Sequence, residues 1–361
     1  MFGIIGLGQG GSNIADLFAE KSYPSAAINY SEKDLQSLQH IDKTLLLQGS
    51  EGVGKDRGLA IQLMNSNFET VHSFIREHFS QPSIQVIFII FSTSGGSGSG
   101  ISSFITELAL NEFPDKAIVC VPVLPSLDES VISHMNTLEC LRQISELDVC
   151  ILALDNNKSG LTTKNQIYKK VNQSFVELIE NIHLQTQQSS PHGNLDERDL
   201  FTLFSSKGFA NISHIDIANI NQSLNLEEVN QSIINSWNHS LFSSQNNSKI
   251  IRFGLIFNGQ EQLIRHVKVR DLLVEFDNPA LDVFEGWYTD SKGDIYTILT
   301  GLAFNTDRLK QIEYKTTHET ESLQNALSSS HSISYKPSTL QIKPAEKQKK
   351  ALSSILSKYK K

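Results

Sequence analysis

The sequence predicts an α/β fold: a parallel sheet with helices on both faces, a long central helix, a smaller α+β domain, and a C-terminal helix ending in a basic tail. Three observations predict it. Short apolar runs alternate with longer amphipathic stretches through the first half, the signature of strand–helix units in a parallel sheet. Clusters of Gly, Ser and Asn fall directly after the apolar runs, where such sheets bind their ligands. After a polar break, SSPHGN, ending at Asn194, the alternation gives way to three strands with flanking helices.

Taken in order, residues 2–7, 26–29, 44–47, 84–91, 117–123 and 149–154 are short and apolar enough to be buried strands. Residues 56–78, 101–112 and 129–146 carry helical spacing. The central helix runs from about residue 165 to 187, long enough to cross the first domain. Beyond it, residues 251–257, 281–288 and 294–302 read as strands, and 226–238 and 260–273 as helices. A helical pattern returns from 307 to about 327. Residues 328–338 form a polar linker, and 345–361 could make a short basic helix against a partner. The implied division is 1–164, 165–190, 191–303, 304–328 and 329–361, with no internal repeat.

Composition narrows the function classes. With 361 residues, 39% apolar and 19% charged, the chain can build a large core and is not disordered in bulk. No apolar run approaches the roughly 20 residues of a membrane span. The N-terminal MFGIIGLGQGG lacks a basic region and a cleavage site, so it does not read as a signal peptide. Cys120, Cys140 and Cys150 are an odd number without metal spacing, which reads as buried thiols in a reducing cytoplasm. The net charge of −8 is unevenly placed: residues 336–361 hold eight lysines and one acid, a tail of +7, which leaves −15 on the body. That split excludes a wholly basic nucleic-acid binder and leaves a tail suited to an anionic partner.

Three glycine loops carry the chemistry. Gly6, Gly8 and Gly11 fit G-x-G-x-x-G between a strand and a helix, where backbone can approach phosphate at a helix N-terminus. A dinucleotide site would also want an acid at the tip of the second strand, but that tip is Asn29, and Glu32 and Asp34 come later. Residues 49–56 nearly spell a P-loop, yet Asp56 stands where the magnesium-binding Ser/Thr belongs, so that reading is rejected. A phosphate-facing turn with Lys55 or Arg57 remains, beside an ordinary glycine turn. The strongest signal is Ser92–Gly100, STSGGSGSG, between the most apolar strand and a helix beginning near Ser99. Such a run has no packing value and suits a polyphosphate.

These residues resemble the tubulin/FtsZ superfamily of GTPases. Its signature loop is matched by Gly95, Gly96, Ser97, Gly98, Ser99 and Gly100, with Ser94 leading and Ser97 in place of Thr. Its first loop is similar to Gly8, Gln9, Gly10, Gly11 and Asn13, its second to Asn29, and its third, in short form, to Gly52, Gly54 and Lys55. The ribose-holding Glu is matched by Glu129, while the Arg that follows in cell-division members falls near Ser133. The guanine loop resembles residues 155–158 with Asn156 at the base edge, followed by Tyr168 to stack and Asn172 to pair, one helical turn apart. The loop after the central helix, Asn194-Leu-Asp196-Glu-Arg-Asp199, matches the family's catalytic loop in type, spacing and order; a plain acidic helix start is the alternative. The matches span residues 2–205. Within the superfamily, VLPSLDESVISHMNTLECL, ALDNNK, EGVGKDR and the basic tail resemble the TubZ branch, the DNA-segregation tubulins of plasmids and phages.

The resemblance implies a GTP/GDP site with Mg2+. It also implies head-to-tail self-assembly, with Asn194, Asp196 and Asp199 of the next subunit completing the site. It further implies coupling of Ala345–Lys361 to a DNA-binding adaptor and its centromere-like DNA, with no role at a membrane. Two other readings stand beside it: a filament GTPase for phage-nucleus positioning or cell division, and a NAD-dependent oxidoreductase resting on the first glycine loop alone.

Overall fold

The computed structural model describes residues 1–217, 229–289 and 293–328. The basic tail and residues 226–228 of one expected helix therefore lie outside the described residues. Met1–Thr320 form one compact unit. Its first strands are β1 (Phe2–Leu7), β2 (Ser25–Asn29), β3 (Lys43–Leu46), β4 (Val86–Ser92), β5 (Ala117–Leu124), β6 (Cys150–Ile151) and β7 (Leu154–Asp155). They lie in the order β3-β2-β1-β4-β5-β6, all parallel, with β7 extending the pairing along β5. The order reverses between β1 and β4, and such a reversal opens a crevice at the strand ends.

Alternate residues of the strands serve opposite faces. Phe2, Ile4, Phe88 and Ile90 pack against α1 (Gly8–Glu20) through Ile14 and Phe18, and against the central helix through Phe175 and Ile179. On the other face Ile5, Leu7, Ile87 and Ile89 pack against α3 (Arg57–Phe79), α4 (Ser97–Glu112) and α5 (Val131–Ser145). The short α2 (Glu32–Gln36) follows β2. The central helix is α6 (Lys164–Gln185), close to its expected span. The cysteines are free and buried.

The sheet continues into the second half. After α7 (Glu197–Phe204), β8 (Gly208–Asp216) joins β6 in parallel through two residue pairs. Then come α8 (Val229–His239), β9 (Gln245–Asn246), β10 (Arg252–Asn258), α9 (Glu261–Ile264), α10 (Val269–Leu273), β11 (Asp282–Tyr288) and β12 (Asp294–Phe304). β12 runs antiparallel between β8 and β10, and β11 is parallel to β10. Trp237, Phe253, Phe257, Leu272 and Ile295 fill a core of their own. The last helix, α11, spans Asp307–Ser328.

Three elements differ from expectation. The single strand over 149–154 is broken into β6 and β7. The register places Ala153 opposite Pro122, which has no N–H to give to β6, and on the other edge the Ala153 carbonyl accepts from the Ser243 N–H at 2.8 Å. The helix over 260–273 is two short ones. Leu263, Val267 and Leu272 are all buried, and spacings of four and then five residues do not share one helical face. β8 was not expected at all, because its buried positions include Asn211 and Ser213, which hide the period-two apolar pattern.

Gly11 is where α1 meets the sheet: a Cβ there would lie 2.0 Å from the Ile90 carbonyl oxygen. Gly11→Ala is expected to destabilise the protein by about 2 kcal/mol or more, since backbone cannot yield as a side chain does. Urea denaturation checks this, and wild-type stability would remove Gly11 from this packing role.

Candidate functional site

A cavity of about 400 Å³ opens at the β1/β4 reversal. Its floor is two helix starts. α1 begins at Gly8 behind Leu7, and α4 at Ser97 behind Gly96; neither has a side-chain cap or an acid in its first turn. By contrast α2, α3, α5 and α7 are closed by Ser31, Asp56, Ser130 and Asp196. The uncapped ends leave backbone N–H groups and the positive ends of two helix dipoles beside one cavity, a ready anion site. Asp56 also explains the imperfect P-loop, because its carboxylate accepts the Leu59 N–H at 2.9 Å and caps α3.

Glycine lets the loops touch. Gly8 has φ +64°, and a Cβ on it would stand 2.7 Å from the Gly98 nitrogen. A Cβ on Gly96 would meet the Gly54 carbonyl at 2.6 Å. Asn136, on α5, fastens the seam: its Nδ2 donates to the carbonyls of Lys55 (3.0 Å), Ser94 and Gly95 (both 3.3 Å). Arg57 is buried and donates to Ser99 O at 3.2 Å, so it braces the loop from behind instead of facing a ligand.

The other end of the cavity is built by different elements. Tyr168, on α6, donates to Glu129 Oε1 at 3.1 Å. Burial and the Glu129 charge push the phenol up to about 12, so it stays a neutral donor at physiological pH. Asn156 is buried, and its Oδ1 has no partner within the protein. A buried acceptor left open on a cavity wall fits a ligand donor such as a base edge.

Of the residues singled out in the sequence, Gly8, Gln9, Gly10, Asn13, Gly54, Lys55, Gly95, Gly96, Ser97, Gly98, Glu129, Asn156, Tyr168 and Asn172 line this cavity together. Gly11, Asn29, Gly52 and Ser99 are not among the lining residues. Asn29 Nδ2 donates to Asp34 Oδ2 at 3.0 Å, and Asp34 itself reaches the cavity. Asp34 and Lys164 are lining residues that the motifs did not assign, although Lys164 precedes Tyr168 and Asn172 at the same four-residue spacing.

Asn194, Asp196 and Asp199 are not among the lining residues. Asp196 and Asp199 form a reciprocal capping box at the start of α7: Asp199 N–H donates to Asp196 at 3.0 Å and Asp196 N–H to Asp199 at 3.0 Å. Asn194 closes its own loop through Ser190. Glu197, between the two aspartates, accepts from His183 Nε2 on α6 at 3.1 Å, and His183 bonds Tyr23 at 2.8 Å on its other nitrogen. Burial raises the Asp199 carboxyl above the usual aspartate range.

The family pattern described as the GTPase domain of the Tubulin/FtsZ family matches residues 2–160. The chain carries a tubulin/FtsZ-family GTPase domain. The GTPase is 26% identical to the tubulin-like protein CetZ of Pyrococcus horikoshii, over 83% of this chain and 85% of that one. It is 32% identical to the tubulin-like protein TubZ of Clostridium botulinum C phage, over 56% of each chain. Its fold is similar to TubZ of Bacillus thuringiensis serovar israelensis in a GTPγS-form protofilament, with TM-score 0.78 over 90% of this chain and 93% of that one, at 20% identity. Its relatives thus carry both the CetZ and the TubZ names.

Asn136→Ala is expected to weaken GDP binding about tenfold by freeing the Lys55 turn from the Gly95 loop, as read by fluorescence anisotropy of a labelled nucleotide. Unchanged affinity would leave Asn136 without that role. Tyr168→Phe is expected to bind GDP more weakly than wild type but more tightly than Tyr168→Ala. Equal affinity of all three would reject a contact by the ring and its hydroxyl.

Proposed function

We propose that the cavity binds GTP and GDP with the phosphates on the Gly8–Asn13, Gly54–Lys55 and Gly95–Ser99 loops and the guanine between Asn156, Tyr168 and Asn172. The observation that carries this reading is the pairing of two uncapped helix starts at one end with the unpartnered Asn156 oxygen at the other. Glu129, held by Tyr168, serves the ribose. The donor set also suits Mg2+. Asp34 and Glu129 are the acidic lining residues among those described, and a hard cation sharing phosphate oxygens needs one or two carboxylates. Asp34 is oriented by Asn29, and bound Mg2+ would offset charge on the phosphates.

We further infer that hydrolysis is completed by a second copy. Among the described residues the cavity of one subunit has no aspartate pair, and Asp196 and Asp199 sit elsewhere on the same compact unit. In a head-to-tail contact the α7 start of one copy faces the nucleotide of the next, with Asp196 and Asp199 orienting water and Asn194 shaping their loop. That the Bacillus thuringiensis protein forms a protofilament supports self-association. The cargo proposed is plasmid or phage DNA. The reading rests on 32% identity to a phage TubZ and on the +7 of the tail, which suits an adaptor–DNA complex. A second reading has its own support: the CetZ likeness runs over 83% of the chain, which favours a filament with another cargo.

Asp199→Ala is expected to keep GTP binding and GTP-dependent pelleting while phosphate release falls at least a hundredfold; retained release would reject the assignment. In the wild type, ionised Asp199 is the working form, so phosphate release falls as pH drops through its pKa. Because burial raises that pKa, the acid limb of the rate–pH profile belongs above the usual aspartate range. A limb at or below that range would contradict the role. Deleting Ala345–Lys361 is expected to spare phosphate release and lose capture of adaptor-bound DNA, and capture by the truncated chain would end the tail proposal.

A further inference from the structure

The first turns of α11 are tied to the guanine end of the cavity. Arg308 and Asp155 are both nearly sequestered, at 6% and 3% exposure. The guanidinium grips the carboxylate with two nitrogens, Nε to Oδ2 at 2.9 Å and Nη2 to Oδ1 at 3.2 Å. Asp155 immediately precedes Asn156, and its Oδ1 also accepts the Asn157 N–H at 3.0 Å, fixing the turn that presents Asn156. The same Nη2 donates to the Pro125 carbonyl at 2.5 Å, at the head of the loop that leads to Glu129. Lys315, two turns further along α11, donates to the Leu127 carbonyl in that loop. Leu127 in turn donates its N–H to Asn157 Oδ1 at 3.1 Å, closing the ring.

A buried bidentate pair is a poor choice for stability alone, since desolvation offsets most of its Coulomb attraction. This one leaves Arg308 Nη1 buried without a partner, which worsens the balance. What the pair does supply is direction. A planar fork holds two loops at a fixed separation, which a lysine cannot do.

We propose that Arg308 is a positioning residue for the base and ribose loops, and that it couples guanine-nucleotide affinity to the seating of α11. This rests on the nucleotide reading above. Coupling is reciprocal: nucleotide that orders Asn156 and Glu129 must also hold α11 in place, and whatever draws α11 away must loosen the nucleotide by the same factor. α11 is the helix that leads into the basic tail, so a load on the tail has a covalent route to this joint.

The test compares GDP, ADP and tripolyphosphate on the full chain. The wild type is expected to prefer GDP to ADP; absence of that preference would sink the guanine reading itself, not only the coupling. Arg308→Lys keeps the charge and removes the fork. It is expected to weaken GDP about tenfold and leave tripolyphosphate unchanged. Undiminished GDP binding, or an equal loss for both ligands, overturns the proposal. A second measurement needs no variant. In hydrogen exchange of the wild type, GDP is expected to slow the amides of residues 308–315 about fivefold more than tripolyphosphate does, and equal protection by the two ligands overturns the coupling.

Discussion

The structure depends on one close approach, that of two helix N-termini across the reversal in the parallel sheet. β1 and β4 are neighbours, so the loops that leave them emerge side by side. Gly8 can lie against the Gly98 nitrogen, and Gly96 against the Gly54 carbonyl, because none of them carries a Cβ. The result is a wall of backbone donors at the positive ends of α1 and α4, without a carboxylate in either first turn. The body's negative charge is therefore no obstacle to an anion at this wall, where peptide N–H groups and two helix dipoles set the local field.

Around that wall the fold adds single side chains from distant segments. Asn136 binds the Lys55 turn to the Gly95 loop, Tyr168 orients Glu129, and Asn29 orients Asp34. Arg308 reaches back across 153 positions to the turn that presents Asn156. The cavity is thus well formed in one subunit, whereas the aspartates of α7 are occupied in capping their own helix. Binding belongs to the subunit and, under the proposed reading, chemistry belongs to the contact between subunits. A GTPase so divided hydrolyses only where it has assembled.

Motifs made of adjacent residues were legible in the sequence. The glycine loops announced themselves because such runs have no packing value, and the apolar strands because short continuous apolar runs between them suit a parallel sheet buried on both faces. NLDERD was legible as the resemblance's catalytic loop at a helix start, and it folds as the capped start of α7. Asn136, Asp34, Lys164 and Arg308 were not assigned. Each is one polar residue on or beside an amphipathic helix, and only tertiary neighbours distinguish it from a solvated one. β8 escaped for the opposite reason: its buried Asn211 and Ser213 find partners in Trp237 and Thr297, so polar residues occupy core positions. The break between β6 and β7 follows from a proline on the neighbouring strand, which no window on residues 149–154 contains.

Under the proposed reading, a nucleotide cavity formed within one subunit gains its catalytic carboxylates only when a second copy arrives. The most direct test is phosphate release per subunit from GTP, measured as protein concentration is raised through the threshold for assembly. Near-zero release is expected below the threshold and a steep rise in rate per subunit above it, while GDP affinity stays constant throughout. A rate per subunit that is the same on both sides of the threshold would contradict that reading.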